Sequence, residues 1–148
     1  MIDIVLLTCT IIGGTLLGIY AARQKKRYCK FLQDSLNYVN EFAINVRGRK
    51  LLLAEFSQKF STTCGKEFAD YVLSENKECK YKTLKPVMDE FWQGLQTSST
   101  DELNSHLESC AAKLKAMTDQ ALPECSKLCV TYVKLGFLAG VMLGIVVM

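Results

Sequence analysis

The chain has 148 residues, 49% of them hydrophobic and 22% charged, with a formal net charge of +3. That length holds one domain, and the basic excess is too small and too dispersed to form the concentrated stripe by which proteins grip nucleic acid. Seven cysteines, at positions 9, 29, 64, 79, 110, 125 and 129, form an odd set without a C-x-x-C pair, which argues against a disulfide framework and for a reducing compartment.

Charge is distributed unevenly. All 18 basic residues and 14 of the 15 acids lie between Arg23 and Lys134, so a polar middle separates two apolar ends. Residues 4 to 22 are uncharged and make about 28 Å of helix, close to the hydrocarbon thickness of a bilayer. Arg23, Lys25, Lys26, Arg27 and Lys30 follow immediately. A secretory signal would carry such residues before its apolar run, so residues 1–22 read as a first transmembrane helix with the basic cluster at the cytoplasmic headgroups and the N-terminus outside.

Helical periodicity continues beyond the span. Leu32, Leu36, Val39, Ala43 and Val46 step four, three, four, three along one face, widened by Phe31, Tyr38 and Phe42. This predicts one helix emerging from the bilayer unbroken and stopping at Gly48. A second helix is expected from about Lys50 to Lys59, then a turn over Ser61 to Gly65. A third short helix carries Phe68, Tyr71 and Val72. Glu75 to Lys82 reads as an exposed connection whose Lys77, Lys80 and Lys82, with Lys85 beyond it, form a solvated charge run.

Thr83 to Gln96 is expected to be helical, with Pro86 in the first turn and Val87, Met88, Phe91, Trp92 and Leu95 as the apolar stripe; Trp92 is placed in the core. Ser99 and Glu102 form a capping box opening a helix through Leu103, Leu107, Cys110, Leu114, Met117 and Ala121. Pro123 should kink that helix or end it, a kink leading on into the membrane being preferred.

Leu128 to Met148 is the second span, about 31 Å of helix, with Lys134 placed so that its stem can snorkel to the headgroups. Gly136, Gly140 and Gly144 lie four apart on one face, and Gly14, Gly18 and Ala22 repeat that spacing in the first span. Small residues at this interval let helix backbones approach closely in lipid, so the spans are expected to pack on each other or on copies in a homo-oligomer. The expected fold is an all-α, membrane-anchored helical bundle: residues 1–22 and 128–148 span, residues 23–127 form a cytosolic helical domain, and both termini lie outside.

Catalytic chemistry is sparse. His106 is the single histidine, on the polar side of its helix, where a surface histidine is the expected reading. Cys125 and Cys129 share a face but lack the further ligands of a tetrahedral site, and Asp89 and Glu90 are adjacent rather than facing. Gly13-Gly14 has no following Lys-Ser or Lys-Thr to make a phosphate loop. No catalytic residue, metal site, cofactor or nucleic-acid partner is expected, and the chain does not read as an enzyme.

The tail Leu135-Gly136-Phe137-Leu138-Ala139-Gly140 with its hydrophobic continuation resembles the stage III sporulation protein AB family of endospore-forming bacteria, related to the F-type platform proteins of type II secretion and type IV pilus machines. The N-terminal span ending near Gly18 with basic residues after it, the Leu32 to Val46 helix, the Leu51 to Phe56 segment and the Phe91-x-x-x-Leu95 spacing extend the similarity over essentially the whole chain. Gln96 and Ser99 depart from the Gly and Asp usual in that family. The resemblance implies a non-enzymatic, platform-like scaffold in the mother-cell membrane facing the forespore, part of a channel-like complex required for endospore development. Its implied partners are a cytosolic secretion-type ATPase, stage III sporulation protein AA, and other stage III sporulation membrane proteins, with membrane lipid as surroundings. A holin-like small pore former is the competing class, disfavoured because Thr8, Thr10 and Thr15 are the only polar residues available to line a wet channel.

Overall fold

The computed structural model describes the backbone of residues 2–48, 52–97 and 100–147 and the side chains of 5–46, 52–96 and 102–146. Among the described residues there are five helices and no strand: α1 Ile2–Gly48, α2 Leu53–Ser61, α3 Lys66–Leu73, α4 Lys85–Thr97 and α5 Thr100–Val147. The fold is all-α, with two long apolar helices at its ends, the architecture of a membrane-anchored bundle. The chain divides into two compact units, residues 1–29 with 121–148, and residues 30–120. Hydropathy alone puts these boundaries at 22 and 128, because it registers where charge begins rather than where packing partners change.

The unit of residues 30–120 is organised around α1. Of the four-three stepping, Leu32 and Val39 are buried while Leu36, Ala43 and Val46 are half-buried; the widening residues Phe31, Tyr38 and Phe42 are buried, and so is Ser35, which the apolar pattern does not include. Tyr38 is the hub: its ring lies 5.2 Å from Phe60, 5.3 Å from Phe56, 5.7 Å from Phe68 and 6.0 Å from Phe91, within the range of favourable edge-to-face and tilted aromatic pairs. α2 and α3 each bring two of their aromatics, Phe56 and Phe60, Phe68 and Tyr71, into this cluster. Met88 and Phe91 of α4 and Leu107, Cys110 and Leu114 of α5 complete the buried set.

Polar groups in this core are satisfied locally. Ser35 donates to the Phe31 carbonyl and Thr118 to that of Leu114, while the Tyr38 and Ser57 hydroxyls share a 2.8 Å hydrogen bond. The Gly65 N–H at the start of α3 donates to Asp34 of α1 at 2.9 Å, so an acid from a neighbouring helix satisfies a donor that α3 itself cannot. The helix α1 is described as far as Gly48, and the expected stop just beyond it lies outside the described residues. Ser99 lies outside the described residues; Glu102 falls in the first turn of α5.

In the unit of residues 1–29 and 121–148, α1 and α5 form a helix pair. α5 runs through Pro123 without ending there, despite the lost backbone donor. Ala22, Cys29, Cys125 and Cys129 form a small buried cluster with Tyr28, Ala121 and Val133 against it.

Candidate functional site: a glycine-lined helix pair

Only 11% of the most apolar window of α1 and 17% of that of α5 are buried within the protein, and both helices are long and apolar enough to cross a membrane. A core helix of a water-soluble protein would be mostly covered by its own chain. Here Ile12, Leu16, Leu17 and Tyr20 of α1, and Val130, Phe137, Leu138, Met142 and Ile145 of α5, are exposed. An apolar surface of this extent is what lipid tails cover.

The inner face is built the opposite way. A Cβ placed on Gly14 would lie 2.5 Å from the Gly136 carbonyl oxygen and 2.9 Å from the Gly140 Cα, and one on Gly18 would lie 2.5 Å from the Tyr132 carbonyl oxygen. Gly136 faces Gly14 and Gly18, Gly140 meets the backbone of Thr10 and Ile11, and Gly144 packs on the Leu7 side chain. All five spaced glycines are therefore spent on contact between the two helices of one chain. Gly13, one position round the helix, has nothing within 4 Å of its Cβ direction. The four-residue spacing, not glycine content, marks the contact.

Polar groups in the first span are already paired. Thr8, Thr10 and Thr15 donate back to the carbonyls of Val5, Leu7 and Ile11, an arrangement that satisfies a hydroxyl within its own helix. Arg23, Lys25, Lys26, Arg27 and Lys134 are exposed, positioned on their helices to meet solvent or headgroups. Cys29 gives the Cys125 and Cys129 pair a third thiol. Their sulfurs approach to 4.0 Å, Cys129 reaches the Ala22 carbonyl at 3.4 Å and Cys29 that of Ala121 at 3.7 Å. Sequence spacing misses Cys29 because it comes from the other end of the chain.

Three expectations in the other unit are corrected. Trp92 is half-buried rather than core, its indole N–H donating to the Tyr71 hydroxyl at 2.8 Å. Lys77 does not belong to a solvated run: its ammonium donates to the Val72 carbonyl in the last turn of α3 and sits 4.7 Å from the centre of the Trp92 ring. Lys77 has a left-handed backbone conformation, φ 46°, and burial lowers its pKa. Lys80, Lys82 and Lys85 are exposed.

His106 is half-buried against α4 rather than on the surface. Its Nε2 lies 3.1 Å from the Glu90 carbonyl oxygen and 3.6 Å from Cys110 Sγ. Gly94 makes room for the ring, since a Cβ there would fall 1.9 Å from Nε2. The helical wheel puts His106 on a polar face; its polar neighbours come from the adjacent helix, which the wheel does not contain.

No family model matches the sequence, and no curated protein or solved structure matches it either.

Proposed function

We propose that this chain is a non-enzymatic scaffold: a two-span anchor that carries a helical bundle in the cytoplasm, with both termini outside. On the similarity of its tail and segment order to the stage III sporulation protein AB family, we assign it to the channel-like complex between mother cell and forespore. There the helical unit of residues 30–120 docks a cytosolic secretion-type ATPase. The observation that carries the scaffold reading is the pairing of the spans through their own glycines, with bare apolar flanks outside, in a chain that also builds a separate aromatic core. A wet pore needs polar groups facing water, whereas the hydroxyls of Thr8, Thr10 and Thr15 in the first span and of Thr131 in the second are each spent on their own helix.

Co-purification is the test. The ATPase should be recovered with the detergent-solubilised full chain and not with a version lacking residues 31 to 122; equal recovery with both removes the docking role. Deletion should block spore development after engulfment and leave vegetative growth intact. Dye leakage and lysis on induced expression would instead favour the pore former.

A further inference from the structure

Glu90 of α4 and His106 and Cys110 of α5 bring a carboxylate, an imidazole and a thiol together, with their ligand atoms all within 4.8 Å of one another. His106 and Cys110 are one helical turn apart, so a single face of α5 presents both. The separation of their donor atoms is informative. Tetrahedral zinc, with Zn–N of about 2.0–2.1 Å and Zn–S of about 2.3 Å, sets nitrogen and sulfur about 3.6 Å apart. His106 Nε2 and Cys110 Sγ are 3.6 Å apart.

From this convergence, we infer that Glu90, His106 and Cys110 form a binding site for a zinc-like divalent metal ion that clips α4 to α5. A sulfur and a nitrogen donor select zinc or cobalt over magnesium and calcium, which take oxygen. Cys110 lies fully buried at the floor of the site, His106 is held in the slot left by Gly94, and Glu90 is the half-exposed arm that can close. Three protein ligands leave a fourth position for water or a donor from another molecule. Two contacts compete with the metal: Lys113 holds both Glu90 carboxylate oxygens at 2.6 and 2.7 Å, and the Glu90 backbone carbonyl oxygen lies 3.1 Å from His106 Nε2. Metal entry exchanges the exposed ion pair and the Nε2 hydrogen bond for coordination.

Cobalt(II) titration of the full chain in detergent tests the assignment, because thiolate-bound tetrahedral cobalt gives a charge-transfer band and intense visible bands. One equivalent should bind with both features. Cys110→Ser should abolish the charge-transfer band, and His106→Gln and Glu90→Gln should each weaken binding about ten-fold or more, while Lys113→Ala should tighten it by freeing Glu90. Replacing Cys29, Cys125 and Cys129 together by Ser should leave the band in place, which separates this site from the other thiol cluster. Added zinc should raise the melting temperature of wild type but not of His106→Gln. Absence of the band in wild type, its persistence in Cys110→Ser, or unchanged affinity in a helical, folded His106→Gln overturns the proposal.

Discussion

Gly14 and Gly136 meet backbone to backbone: a Cβ on either would fall 2.5 Å from the other's carbonyl oxygen. Neither carbonyl can swing away as the end of a flexible side chain can, so the contact has no room for a methyl group. The interface is thus taken up inside one chain, and any homo-oligomer has to use another face.

Substitution at these glycines should destabilise the helix pair itself. Gly140→Leu drives a side chain into the backbone of Thr10 and Ile11, and overpacking of this kind costs about 1–3 kcal/mol. Gly13→Leu points into open space and should be tolerated. Thermal unfolding of the two variants in micelles measures the difference; equal melting temperatures would sink the intrachain contact.

The buried tyrosines make stability fall in alkali. Burial pushes the Tyr38 hydroxyl up from 10.0 to about 12 against the opposing effect of its hydrogen bond with Ser57, and Tyr71 rises further for the same reason, opposed by the Trp92 N–H. A folded-state pKa raised above the unfolded value gives stability that is complete below pH 10 and lost as pH rises toward 12. For Tyr38 the loss is on the order of 3 kcal/mol. Denaturant midpoints between pH 9 and 12, with Tyr38→Phe as control, should show a smaller alkaline loss in the variant.

Removing the Tyr38 ring should be far more costly than removing its hydroxyl. Tyr38 is fully buried against six aromatic rings, so Tyr38→Ala should lose about 3–5 kcal/mol. Tyr38→Phe should lose about 1 kcal/mol, because Ser57 still donates to the Leu53 carbonyl. Urea unfolding of the full chain followed by Trp92 fluorescence reports both.

Asp34→Ala should loosen the start of α3 specifically. The lost bond is charge-assisted and half-buried, a class worth about 1.5–3 kcal/mol. Faster amide exchange at Gly65 than at Gly94 would identify the local effect; a uniform increase across the unit would contradict it.

Thiol accessibility separates orientation from burial. Cys64 is half-exposed and its thiol is pushed up by burial and then by Asp34, whereas Cys79 and Cys110 are buried. At neutral pH a maleimide should modify Cys64 slowly and Cys79 and Cys110 only after unfolding. With a cytoplasmic helical unit, an impermeant maleimide should reach Cys64 only in permeabilised cells. Cys110, fully buried, is no reporter of sidedness.

Periodic features were the legible ones. The stepping from Leu32 to Val46 locates the inward side of α1, although its aromatic neighbours Phe31, Tyr38 and Phe42 are buried more completely than Leu36, Ala43 and Val46, and Phe56, Phe60, Phe68 and Tyr71 announce the two short helices before any packing is known. The glycine spacing marks the contact face of each span but leaves open whether the partner is the same chain, since spacing encodes a surface and not its occupant. His106, Lys77 and Cys29 were misread or missed for one common reason. Their neighbours, Glu90 and Gly94, Trp92, and Cys125, come from other helices or from distant sequence, and a local pattern carries no information about them.

The helix pair joins residues from Ala22 and Cys129, 107 apart in sequence, out to Leu7 and Gly144, which are more distant still. During synthesis the first helix is therefore made well before its mate, and its glycine face stays uncovered while the ribosome makes everything between them. A nascent chain halted before Tyr132 would carry the first helix with Gly14 and Gly18 unmated, because their partners Gly136 and Tyr132 would not yet exist.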